Sequence, residues 1–117
     1  MNPIVIKRIY EEVSENDGYR ILVDRIWPRG VSKIEAHLDE WNKNIAPSTE
    51  LRKWFDHKVE RLEEFTLKYK EELLYKVEEL NRVRKIAENE QVTLLYAAKD
   101  THINHALVLR SVLLSKL

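Results

Sequence analysis

The chain has 117 residues, 44% of them apolar, with 20 basic and 20 acidic side chains, so its formal net charge is zero. That length fits one domain, residues 1–117, around one core, and balanced charge argues against a general nucleic-acid binder, which carries a basic excess. The absence of cysteine rules out disulfides, thiolate metal ligands and cysteine nucleophiles. Met1-Asn2-Pro3 leads straight into a strand-like run without a signal peptide, and no apolar run could span a bilayer. A cytoplasmic protein with no membrane partner is the expectation. Charged residues make up 34%, mostly Glu and Lys, and Gln91 is the one glutamine, which leans toward a thermophile composition.

Ile4 to Tyr10 is short and β-branched and reads as a strand. The polar segment Glu11 to Asp17 closes on Asp17-Gly18, a turn signal. Tyr19 to Asp24 reads as a second strand. Its Ile21-Leu22-Val23 centre is apolar on both faces, as in an interior parallel strand. Arg25 to Val31 forms a loop. Ser32 then caps a short helix through His37, with Glu35 completing a capping box. Leu38 to Ile45 alternates partly and reads as a short extended segment. Ala46-Pro47 breaks the chain, and Ser48 caps a helix that stops near Asp56-His57.

From Val59 the helical period is plain: Val59, Leu62, Phe65, Tyr69, Leu73, Val77, Leu80 and Val83 recur at three- and four-residue steps. This predicts one long helix, or two with a break near Leu74-Tyr75. Val92 to Ala97 is the clearest strand. Asp100 or Thr101 caps a last helix from about His102 to Leu117, apolar almost all round, which should pack on the sheet and could pair with a second copy. The order of elements predicts an α/β domain with a small, mostly parallel sheet of about four strands packed by helices.

Three blocks in this order carry a family resemblance. The first is Asp17-Gly18-Tyr19-Arg20-Ile21-Leu22-Val23-Asp24-Arg25-Ile26-Trp27-Pro28-Arg29-Gly30. The second is Ala46-Pro47-Ser48-Thr49-Glu50-Leu51-Arg52-Lys53-Trp54-Phe55, followed by His57. The third is Thr93-Leu94-Leu95-Tyr96-Ala97-Ala98-Lys99-Asp100, followed by Asn104-His105-Ala106. Together they resemble the signature of the YeaO-like branch of the domain-of-unknown-function 488 family. They cover most of the chain apart from the long charged helix. The family usually has Leu where Ile26 stands and Arg where Lys99 stands. The resemblance implies an α/β fold of unassigned biochemical function. Other members of the larger family carry cysteine-containing motifs, so their thiol chemistry does not transfer to this chain.

If the second and last strands are parallel neighbours, Asp24-Arg25 and Tyr96 to Asp100 share one rim with the start of the last helix. Such a place favours an anion through free N–H groups and the helix dipole. Arg25, Arg29 and Arg52 could hold a phosphate or carboxylate, Trp27 or Tyr96 could stack on a flat group, and Asn104 falls beside them. Asp24, Asp100 or His105 could handle a proton. Each also has a plain structural reading: arginines pairing with Asp24 or Asp100, tryptophans packing, Pro28 and Gly30 making turns. His102 and His105 stand three apart, with His57 as a distant third candidate, but such a pair falls short of a ligand set, and no metal is expected. Ser48 follows Pro47 and reads as a cap rather than a nucleophile. No Gly-rich phosphate loop, G-x-S-x-G or H-E-x-x-H occurs, and the sequence leaves any cofactor unknown. Two readings stay open: an enzyme acting on an anionic, phosphate- or nucleotide-like small molecule, or a non-catalytic module binding a small anion, a protein or nucleic acid through the same rim.

Overall fold

The computed structural model describes residues 1–115. Its centre is a four-stranded parallel sheet in the order β1-β4-β2-β3. The strands are β1 (Ile4–Arg8), β2 (Tyr19–Leu22), β3 (Glu40–Trp41) and β4 (Val92–Tyr96). Around them lie α1 (Lys33–Ala36), α2 (Thr49–Phe55), α3 (Leu62–Leu73), α4 (Val77–Asn89) and α5 (His105–Leu114). The small α/β architecture read from the sequence is the one observed. Strands β1 and β2 stop two residues short of their expected ends, although the Ile9 and Val23 amides still donate to the Tyr96 and Leu95 carbonyls at 2.8 and 3.0 Å.

Period-two alternation divides the strands between two cores. Ile4, Ile21, Val23, Val92, Leu94 and Tyr96 face α2 to α5. Leu22 and Leu95 face the other way, under α1 and the segments flanking it that carry Trp27, Val31 and Leu38. Ser32 caps α1 with a complete capping box to Glu35. Ser48 caps α2, and its hydroxyl and amide also donate to Glu72 at 2.6 and 2.8 Å, pinning the start of α2 to α3.

The long charged run is two helices joined by a 3-10 turn, Leu74–Lys76. Val59 and Val77, expected on the buried stripe, are instead 60% and 48% exposed. Val59 lies in a separate 3-10 turn before α3, and the tighter turn at Leu74 shifts the phase, so that Leu80, Val83 and Ala87 carry the stripe onward. The last helix begins at His105 rather than His102. The Asp100 carboxylate takes the His102 and Ile103 amides at 2.8 and 3.0 Å, which curls the chain locally, and Asn104 serves as the N-cap by accepting from Leu107.

The entry to β2 is fixed by charge. Asp17 is buried and accepts from Lys7 at 3.1 Å, from Arg20 at 2.5 Å and from the Ser14 amide at 3.0 Å. Arg20, 4% exposed, turns its remaining donors onto the Ala36 and His37 carbonyls. A Cβ at Gly18, where φ is +67°, would strike the Gln91 carbonyl on the neighbouring strand, so only glycine fits there. Burial works to raise the Asp17 carboxyl, but the Ser14 amide, Lys7 and Arg20 outweigh it and hold it below the usual carboxylate range.

Replacing Asp17 by Asn leaves Arg20 buried and uncompensated. We expect a loss of about 3 kcal/mol in urea unfolding at neutral pH. The wild-type contribution is present above the unfolded value of about pH 4 and is lost as the pH falls through the lower folded value. Acidification below pH 4 should therefore narrow the gap between wild type and D17N.

Candidate functional site

Because β2 and β4 are parallel neighbours, their carboxyl ends open on one rim, and α5 begins there. Asp24 is the hub of that rim. One carboxylate oxygen accepts the Ala97 amide at 2.8 Å, and the other lies 3.0 Å from His105 Nε2. The same ring nitrogen is 2.9 Å from the Val23 carbonyl. Both neighbours of Nε2 are acceptors, so this nitrogen carries the hydrogen and donates to both. The Asp24 carbonyl in turn accepts from the Trp41 indole at 2.6 Å.

Arg25 points away from the strand ends toward the start of α2, and donates to the Pro47 and Ala46 carbonyls at 2.9 and 3.3 Å. Beneath this group lies Tyr69, fully buried, whose hydroxyl donates to the Ile45 carbonyl at 2.5 Å. Its ring meets that of His105 edge-on, with centroids 6.4 Å apart. Burial pushes the Tyr69 hydroxyl well above the ordinary tyrosine range; the charges of Glu72 and Asp24 add to the rise and that of Arg25 opposes it. Asp24, Arg25, Tyr69, Glu72 and His105 thus form one polar cluster in the crevice between β2, α3 and α5.

The other candidates are scattered. Asn104 is buried as the α5 cap and donates to the Asp100 carbonyl at 2.9 Å. Asp100 is fully exposed, and the His102 and Ile103 amides hold its carboxyl below the usual range. Tyr96 is 2% exposed, its ring in the core that faces the helices, and burial raises its hydroxyl. Trp27 packs in the opposite core, edge-on to Trp41 with centroids 5.2 Å apart, its indole donating to the Val31 carbonyl at 2.7 Å. Arg29 and Arg52 are exposed, and the Arg29 carbonyl accepts from the Tyr10 hydroxyl at 2.8 Å. His102 lies outside α5, so His102 and His105, three apart in the sequence, do not share a helix.

The sequence reading missed Trp41, Tyr69, Glu72 and the Ala97 amide. Two hollows, of about 460 and 470 Å³, sit beside the α3–α4 joint, and no rim residue lines either one. Among the described residues no helix is long and apolar enough to cross a membrane.

A family model described as "Inactive DUF488-N3 subclade" matches residues 3–117. The chain belongs to this family. Uncharacterized protein YeaO of Escherichia coli (strain K12) is 51% identical over 106 residues, covering 91% of this chain and 92% of the relative. Uncharacterized protein Rv3073c of Mycobacterium tuberculosis (strain ATCC 25618 / H37Rv) is 41% identical over 108 residues, covering 92% and 91%. No solved structure gives a significant match. The three blocks read as DUF488-like thus fall in a chain that matches the family along nearly its whole length, and two of them supply Asp24, Arg25 and His105.

The rim's geometry sets an order of stability losses. Asp24→Ala leaves the Ala97 amide and the His105 ring without their shared partner and should cost about 2–3 kcal/mol. His105→Ala removes one donor from a carboxylate that keeps the Ala97 amide, and one from the Val23 carbonyl, and should cost about 1–2 kcal/mol. Urea midpoints at unchanged m-value measure both; the reverse order would contradict the role given to Asp24.

Proposed function

We propose that this protein is a non-catalytic interaction module that binds another protein surface through its helical side, while the polar rim serves as an internal lock. The observation that carries the reading is the commitment of the rim. Asp24 is held by an amide and a histidine, Arg25 by two carbonyls, Asp100 by two amides, and Asn104 by the turn it caps. Asp24 and His105 cannot turn to a substrate without loosening the junction between β2, β4 and α5, and Arg25 cannot without releasing the Ala46-Pro47 turn. The word "Inactive" in the description of the matched family supports the same reading. So does a run of exposed apolar side chains on one element pair: Leu67, Leu74, Tyr75 and Val77 are on α3, α4 or the turn between them, whereas Tyr10, Val13, Ile26 and Ile34 are exposed elsewhere.

One arrangement favours the other reading, an enzyme acting on an anionic, phosphate- or nucleotide-like molecule. Asp24 orients His105 as a carboxylate orients a general base. Against it, Glu72 and Asp24 put two carboxylates beside the one Arg25 guanidinium, a poor setting for an anion.

Titration with inorganic phosphate, nucleotides and divalent metals, followed by thermal unfolding, separates the two. The interaction reading expects no rise in Tm at millimolar ligand. A rim site filled to about 100 times its Kd would add about 2.7 kcal/mol of stability and overturn it, most clearly if His105→Ala removed turnover and left that stabilisation in place.

A further inference from the structure

We propose that Arg110 and Glu11 close the outer edge of β1 against a second copy of this chain, and that loss of the Arg110 contact lets two copies pair along β1. This device belongs to the sheet edge and stands apart from both the helical side and the rim.

β1 is an edge strand, paired with β4 on one side only. Such an edge is a template for another strand unless something blunts it. The register with β4 fixes which backbone groups face outward. The Pro3 carbonyl accepts from the Val92 amide, and the Ile9 amide donates to the Tyr96 carbonyl, so the odd-numbered residues bond inward. The amides and carbonyls of Ile4, Ile6 and Arg8 therefore point out of the sheet.

Some of these groups are already taken. The Ile4 carbonyl accepts from Arg110 Nε, on α5, at 2.6 Å. The Arg8 amide donates to the Glu11 carboxylate at 2.8 Å, and the Arg8 carbonyl accepts from the Glu11 amide at 3.1 Å. Among the described residues, the Ile4 amide and both backbone groups of Ile6 have no partner.

The placement of these contacts blocks self-pairing. Two antiparallel copies of β1 would exchange bonds between opposite residues. With Val5 opposite Val5, each Ile4 meets an Ile6, and the Ile6 amide needs the Ile4 carbonyl that Arg110 holds. With Ile4 opposite Ile4, the same carbonyl is needed. With Lys7 opposite Lys7, each Ile6 meets an Arg8, whose groups belong to Glu11, and like charges face each other. Arg8 opposite Arg8 meets the same obstacle. With Ile6 opposite Ile6, only the central pair is free, because the flanking bond joins the Arg8 amide to the Ile4 carbonyl. A lone residue pair does not offset the cost of association. Arg110 carries more of this protection than Glu11. Its loss frees the whole Val5-centred register, whereas loss of the Glu11 carboxylate leaves the Glu11 amide on Arg8.

The chain has no cysteine, so a single Val5→Cys reports the pairing. Val5 opposite Val5 is a non-hydrogen-bonded pair with Cα atoms about 4.5 Å apart, within the span of a disulfide. Arg110→Met keeps an apolar stem and removes the donors. Under mild oxidation of the full chain, Val5→Cys with Arg110→Met should form disulfide dimer at least about tenfold faster than Val5→Cys alone. Glu11→Ala should raise the rate far less, and Arg110→Lys, which keeps a donor, should stay near the single variant. Glu63→Cys, on the exposed face of α3, should gain nothing from Arg110→Met, which separates pairing at β1 from collisions of unfolded chains. Equal rates for Val5→Cys with and without Arg110→Met, or an equal gain at Glu63→Cys, overturn the proposal.

Discussion

The structure turns on a carboxylate placed where two parallel strands end. Parallel strands cannot be joined by a hairpin, so β2 and β4 meet only after a long excursion through α1 to α4. At their carboxyl ends the ladder runs out, and amides and carbonyls would face an open crevice. Asp24 closes that gap. It takes the Ala97 amide just after β4 and the His105 ring at the head of α5, and its own carbonyl takes the Trp41 indole just beyond the ladder. The side chain therefore ties the end of β4 to the head of α5, and the backbone carbonyl of the same residue adds the edge strand β3. A carboxylate holding two partners in a partly dry site is worth more than either of its bonds, because losing it takes a partner from both.

That constraint explains why the rim looks like a site in the sequence and behaves like a joint in the fold. Crevices at the carboxyl ends of parallel strands are where α/β proteins hold ligands. The residues that would do so are present, yet most are turned inward. Arg25 closes the loop at Ala46-Pro47, Asp100 and Asn104 build the start of α5, and Trp27 belongs to the core on the far side of the sheet. The longest run of exposed apolar side chains, Leu74, Tyr75 and Val77, is at the phase shift between α3 and α4.

Much of the fold was legible because it is written in local chemistry. Ser32 with Glu35, Ser48 before its helix, and Asp17-Gly18 before β2 each satisfy nearby backbone groups, so a short window of sequence suffices to read them. The break at Leu74 was visible as one of two alternatives. What escaped depends on partners far along the chain. Nothing local marks Arg20 as a buried strand residue; its carboxylate is three positions away, but the carbonyls it fills belong to Ala36 and His37. The start of α5 was misplaced because Asp100, Thr101 and Asn104 are all good caps, and only the Asp100 turn at His102 and Ile103 decides between them. The identities of Asp24, Arg25 and His105 as neighbours were readable from the parallel order of the strands. Their bonding to Ala97, Pro47 and Val23 was not, since those are backbone groups without a residue signature.

Hydrogen exchange of the single Ala97 amide tests the lock most directly. If Asp24 holds that amide as part of the global fold, it exchanges only with whole-molecule unfolding, at the same free energy as the core amides of β4. Exchange through a low-energy local opening, with β4 still protected, would mean that the rim is loose enough to admit a ligand and would contradict the account.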